Sequence, residues 1–89
     1  MNSIIINQIY KDYNRTPYYN LDGYISINDD RTGRIVMFKI YQEDDKIIAD
    51  FNERSQIKSI SSSNRIKKIN IKSLDDFNKR WNEFYNDFH

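Results

Sequence analysis

The stretch from Ser73 to the C-terminus constrains the fold more than any other part of the chain. Leu74, Phe77, Trp81, Phe84 and Phe88 recur at steps of three and four residues, which places them on one stripe of an α-helix. Ser73 stands where an N-cap belongs, and Asp76 three residues later completes an approximate capping box with Asp in place of Glu. Asp75 and Asp76 complement the positive end of the helix dipole, and each has a basic residue four positions on, Lys79 and Arg80. A stripe of large aromatic side chains needs a broad apolar surface to lie on, and a β-sheet face supplies one. Burying each such side chain contributes roughly 1.5–3 kcal/mol, a large share of the stability of a small domain.

The sheet is legible upstream. Arg34 to Gln42 is apolar on both faces, with Val36, Phe38 and Ile40 opposite Ile35, Met37 and Tyr41, as expected of a central strand. Lys46 to Glu53 alternates, with Ile47, Ala49 and Phe51 on one side and Asp50 and Asn52 on the other. Leu21 to Asn28 reads as a third alternating strand, Ile25 and Ile27 opposite Tyr24, Ser26 and Asn28. Asp29-Asp-Arg-Thr-Gly33 and Glu43-Asp-Asp45 are the expected hairpin connections, the first ending in a glycine suited to left-handed geometry. After a polar stretch over 54–65, Arg65 to Ile71 is expected as a fourth strand.

At the N-terminus, Ile5, Ile9 and Tyr13 fall at i, i+4 and i+8, with Ile6 and Tyr10 beside them. That pattern predicts a helix over 3–13, capped by Ser3 and ended by Asn14-Arg-Thr-Pro17. The expected architecture is α+β in a single domain over 1–89. It has an antiparallel meander of three to five strands, with an N-terminal helix and a long C-terminal helix packed on the sheet.

Composition removes several classes of function. The chain has 89 residues, no cysteine and a single histidine, His89. A thiolate nucleophile, a Cys-ligated metal and a serine nucleophile with a histidine base are therefore not expected. Gly23 and Gly33 stand alone, so there is no glycine-rich phosphate loop. Asn28, Asp30, Thr32 and Gly33 imitate the start of a calcium loop, but its twelfth position, which should be a bidentate Glu, is Lys39. No enzymatic activity, cofactor or metal is expected. The longest apolar run near the N-terminus is three isoleucines, against roughly 7–15 apolar residues for a signal peptide and about 20 for a membrane span. A cytoplasmic protein without a membrane partner is expected. Fifteen Ile and eleven Asn against one Ala and one Val suggest a gene from a low-GC source, such as a phage or mobile element.

The net charge of +1 conceals a division. Between 54 and 72 lie Arg54, Lys58, Arg65, Lys67, Lys68 and Lys72 with no acid among them. The hairpin tips carry Asp29, Asp30, Glu43, Asp44 and Asp45. A second feature is the apolar surplus. If Val36, Phe38 and Ile40 face the last helix, then Tyr24, Ile35, Met37, Tyr41 and Ile48 lie on the other sheet face. The first helix is the natural cover for that face. Uncovered, it would be a protein contact or homodimer surface, extended by Tyr18 and Tyr19.

The leading expectation is a small protein that binds another protein, one version being a phage or mobile-element inhibitor of a host defence factor. Its candidate contact residues are the five tip acids with Tyr18, Tyr19, Tyr24, Met37 and Tyr41. The alternative is a nucleic-acid-binding module using the six bases of the strip, with tyrosines for base stacking. Trp81, in the middle of the aromatic stripe, is expected to be buried against the sheet.

Overall fold

A computed structural model describes residues 2–14, 18–21, 23–29, 32–55 and 65–87. The element order is α1 (Asn2–Tyr13), β1 (Tyr19–Leu21), β2 (Tyr24–Asp29), β3 (Arg34–Glu43), β4 (Lys46–Ser55), β5 (Arg65–Ile71) and α2 (Leu74–Asn86). The strands form one antiparallel meander in the order β1-β2-β3-β4-β5, with the two-faced strand β3 at its centre. The α+β architecture is the expected one, with two local corrections.

The run expected as one strand from Leu21 to Asn28 is a hairpin. Leu21 pairs with Tyr24 across a two-residue connection, and Gly23 there has φ +83°. Asp-Gly between apolar residues is a strong signal for such a turn, because glycine takes positive φ without a Cβ clash. The helix also begins one residue before its expected cap, so Ser3 lies inside α1. Polar residues over 54–65 open with the end of β4, which runs on to Ser55. The rest of that stretch, 56–64, and Phe88 lie outside the described residues.

Both helices sit on the same face of the sheet. Ile25, Val36, Phe38, Ile40, Ile47, Ala49, Phe51 and Ile71 form that face and are buried together with Ile9 of α1 and Phe77, Trp81 and Phe84 of α2. The opposite face interleaves Ser26, Asn28, Lys39, Asp50, Asn52, Arg54, Lys68 and Asn70 among its apolar residues. Only the first face has a continuous apolar centre, so both amphipathic helices compete for it. The expected cover of the second face by α1 is thereby overturned.

Aromatic rings knit both helices to the sheet. Phe38 meets Tyr13 of α1 at 5.4 Å and Phe77 and Trp81 of α2 at 4.9 and 5.0 Å, all near edge-to-face. Such pairs add about 0.5–1.5 kcal/mol beyond area burial. Trp81 is buried as expected. Its Nε1 donates to the Tyr18 hydroxyl at 3.4 Å. α1 also repairs an edge. β2 pairs with β3 only as far as Ile25–Phe38, and the Tyr10 hydroxyl then donates to the Ile40 carbonyl at 3.1 Å and accepts from the Ile40 N–H at 2.9 Å. Burial holds the Tyr10 pKa above its ordinary value, against the opposing effect of the Ile40 backbone.

At α2 the Ser73 half of the cap matches the sequence pattern, its hydroxyl accepting from the Asp76 N–H at 3.1 Å; the Asp76 carboxylate accepts from the Lys72 N–H at 3.0 Å, one residue before the N-cap that a capping box uses. No helix among the described residues is long and apolar enough to cross a membrane.

Candidate functional site

Seating both helices on one side leaves the other face of the sheet without a helical layer among the described residues. Strand alternation sorts the candidate residues onto it or away from it. One register row runs Lys39, Asp50, Lys68 across β3, β4 and β5. The next runs Ser26, Met37, Asn52, Ile66, and the rows beyond hold Tyr41 with Ile48 and Ile35 with Arg54.

Burial grades this surface. Met37 and Ser26 are buried, Tyr24, Ile35, Tyr41, Ile48 and Asp50 are half-buried, and Lys39, Arg54 and Lys68 are exposed. The apolar residues thus lie low, and cations stand above them. Ile66 is the exception, 68% exposed on β5.

Tyr24 and Asp50 form the fixed point of the face. The Tyr24 hydroxyl donates to Asp50 Oδ2 at 3.2 Å, a reach from β2 over β3 to β4. Neighbouring strands lie about 4.8 Å apart, so the side chain must stretch along the sheet surface. Burial raises the Tyr24 pKa above its ordinary value, and the Asp50 charge and hydrogen bond raise it further, with Arg54 opposing. The other carboxylate oxygen of Asp50 is buried. At the far end of the same face Glu43 stands opposite Lys46 in register.

The structure therefore divides both sets of sequence candidates. Of the basic strip, Arg54 and Lys68 lie on the open face, and Lys67 is exposed on the helical side of β5. Lys72 is exposed beyond the end of β5, and Lys58 lies outside the described residues. Arg65 is committed elsewhere. Of the tyrosine set, Tyr24, Met37 and Tyr41 share the open face, whereas Tyr18 packs on the helical side against Tyr13 and Trp81. The Tyr19 side chain lies outside what is described.

The acidic tips do not form one surface. Asp29 is buried, with its Oδ2 4.0 Å from Arg34 Nη1. Asp30 lies outside the described residues. Glu43, Asp44 and Asp45 are exposed at the β3–β4 turn, where Asp44 takes φ +57°.

Arg65 belongs to a cluster that the charge tally alone does not reveal. Glu53 sits at an inward position of β4, 2% exposed, and its carboxylate joins two arginines. Arg34 donates to it from Nε at 3.0 Å and Arg65 from Nε at 2.8 Å. Each guanidinium also reaches the last turn of α2. Arg34 donates to the Tyr85 carbonyl at 2.9 Å and Arg65 to the Phe84 carbonyl at 2.8 Å. α2 carries no basic residue in its last turn, so the sheet supplies the cations that its C-terminal dipole favours. The signal was present in the sequence. An acid in phase with Ile47, Ala49 and Phe51 implies a buried partner, and Arg34 and Arg65 have the matching phase on the adjacent strands.

Between β5 and α2 a groove of about 490 Å³ is lined by Phe51, Ile69 and Phe84, with Lys67, Arg80 and Glu83 at its rim. Its charges are mixed. Among the described residues no group of three or more His, Cys, Asp or Glu side chains could hold a metal ion. No family model, curated protein or solved structure matches this chain.

Proposed function

We propose that this chain is a non-enzymatic binding domain whose contact surface is the open face of the sheet. The observation that supports it is the seating of both helices on one side, which leaves tyrosines, Met37 and Ile66 together with exposed cations on the other. That face gathers members of both candidate sets, which are separate in sequence: Tyr24, Met37 and Tyr41 from one, Arg54 and Lys68 from the other. Chemistry at this face would need a nucleophile beside a base; its polar side chains are cations, amides, the buried Ser26, the Asp50 carboxylate tied to Tyr24 and, at the margin, Glu43.

A second reading rests on the exposed acids of the β3–β4 turn, Glu43, Asp44 and Asp45. They would meet a basic surface of a partner protein, as an inhibitor of a nucleic-acid-processing host factor would. The burial of Asp29 removes one acid from that surface, and a net charge of +1 weakens the analogy to a polyanion.

Extract capture separates the readings. Wild type, a face variant (Lys39→Glu with Lys68→Glu) and a turn variant (Glu43→Lys with Asp45→Lys) are immobilised and exposed to native-source extract. Bound material is read by mass spectrometry before and after nuclease treatment. Material retained by wild type and the turn variant but lost from the face variant supports the open face. Loss from the turn variant alone overturns it in favour of the acidic turn.

A further inference from the structure

We infer that the occupant of the open face is a single strand of nucleic acid, with phosphates on Lys39, Arg54 and Lys68 and a base stacked on Tyr24. The inference rests on the open face being the contact surface and adds the chemistry of what it holds.

Exposure decides the partner class. Lys39, Arg54 and Lys68 are exposed on the face, and Ile66 is the exposed apolar side chain beside them, while Met37 is buried and Ile35, Tyr41 and Ile48 are half-buried. The acid in their midst, Asp50, is tied to Tyr24 and has one oxygen buried, and Glu43 stands opposite Lys46 at the margin. The exposed field is therefore positive although the whole chain is nearly neutral. The cores of protein–protein contacts are depleted in lysine, whereas lysine and arginine over aromatic side chains are what a polyanion with stacking bases requires.

Spacing agrees. Lys39 and Lys68 share a register row two strands apart, about 10 Å, and Arg54 lies four residues along β4 from that row, about 13 Å. A flexible strand of a few nucleotides spans both distances.

Tyr24 supplies the stacking platform. Held by its hydroxyl across β3 to Asp50, it has already lost the freedom that stacking would otherwise cost. A duplex is the poorer ligand. Among the described residues no helix stands on this face to enter a major groove, and paired bases offer their π-faces only at the ends.

The test uses fluorescein-labelled 12-nucleotide oligothymidylate and oligouridylate, with a labelled duplex of equal length, read by anisotropy. Neutralising about three phosphates on a single strand gives a log–log salt slope near −2, an affinity loss of about 20-fold between 50 and 200 mM salt. The triple variant Lys39→Ala, Arg54→Ala, Lys68→Ala should bring that slope close to zero. Tyr24→Leu should weaken binding about tenfold, and Tyr24→Phe, which keeps the ring, should stay within about threefold. Thermal melts establish that each variant is folded. Absence of single-strand binding by wild type at 50 mM salt overturns the inference. So does binding that the folded triple variant retains, or tighter binding of the duplex. If the oligonucleotides fail while the face variant still loses a nuclease-resistant protein from extract, the open face stands and its occupant is a protein. If the face variant loses nothing, the reading beneath the inference has failed as well.

Discussion

Glu53→Ala probes the clamp that ties the last helix to the sheet. Glu53 is buried and receives hydrogen bonds from Arg34 and Arg65, which also hold the Tyr85 and Phe84 carbonyls. Removing one member of a buried ionic cluster costs about 3–5 kcal/mol, because the remaining charges stay desolvated. Compensation here is partial. Arg34 keeps Asp29 at 4.0 Å, and Arg65 keeps the exposed Asp87 at 3.3 Å. The lower end, about 3 kcal/mol, is therefore expected, against a total of about 5–13 kcal/mol for a domain of this length. Glu53→Gln retains an acceptor oxygen and the volume, and should cost about 1.5–3 kcal/mol. The assay is urea denaturation followed by the fluorescence of Trp81, which lies on the clamped helix. With a typical small-domain slope, the Glu53→Ala midpoint should fall by roughly 2 M. Adding Arg34→Ala to Glu53→Ala should cost less than Arg34→Ala alone, since its partner is already gone. A loss below about 1 kcal/mol for Glu53→Ala, or simple additivity of the pair, would refute the clamp as a stabilising unit.

Trp81→Ala should cost about 3–5 kcal/mol through the cavity it leaves among Phe38, Phe51 and Phe84. A thermal melt indistinguishable from wild type would overturn that core assignment. Gly23→Ala meets nothing within 4 Å, so its expected cost of about 1–2 kcal/mol is that of φ +83° alone, and a variant as stable as wild type would show the turn to be different. Tyr10, Tyr13 and Tyr24 have folded pKa values above the ordinary tyrosine value, chiefly through burial. The unfolded chain therefore ionises first, so their contribution is fully present below about pH 10 and is lost as pH rises beyond it. Tyr10→Phe should flatten the alkaline fall in a series of melts, and an unchanged slope would count against it. Face-to-face pairing of two copies would bring Lys39, Arg54 and Lys68 against like charges, so sedimentation should report a monomer at low salt.

Apart from β1, which is only three residues long, the elements were readable because each has its own period. The stripe from Leu74 to Phe84 and the alternation in β4 each match a single secondary structure. What could not be read was the side on which α1 lies. An amphipathic helix states that it has an apolar face, not which sheet face receives it, and that choice was settled by polar residues spread over four strands. Lys39, Asp50 and Lys68 look unrelated along the chain and become one row only when the register is known. The tally of bases over 54–72 misled for the same reason: strand alternation sends Lys67 and Lys68 to opposite sides, and Arg65 is absorbed by Glu53.

The most direct test of the open face is an amide NMR titration of the ¹⁵N-labelled protein with 12-nucleotide oligothymidylate. Shifts concentrated at Tyr24, Met37, Lys39, Tyr41, Asp50, Arg54 and Lys68, with Phe77 and Trp81 of α2 unmoved, are the predicted result. Shifts centred on the groove beside Lys67 and Arg80, or on the turn at Glu43–Asp45, would contradict it.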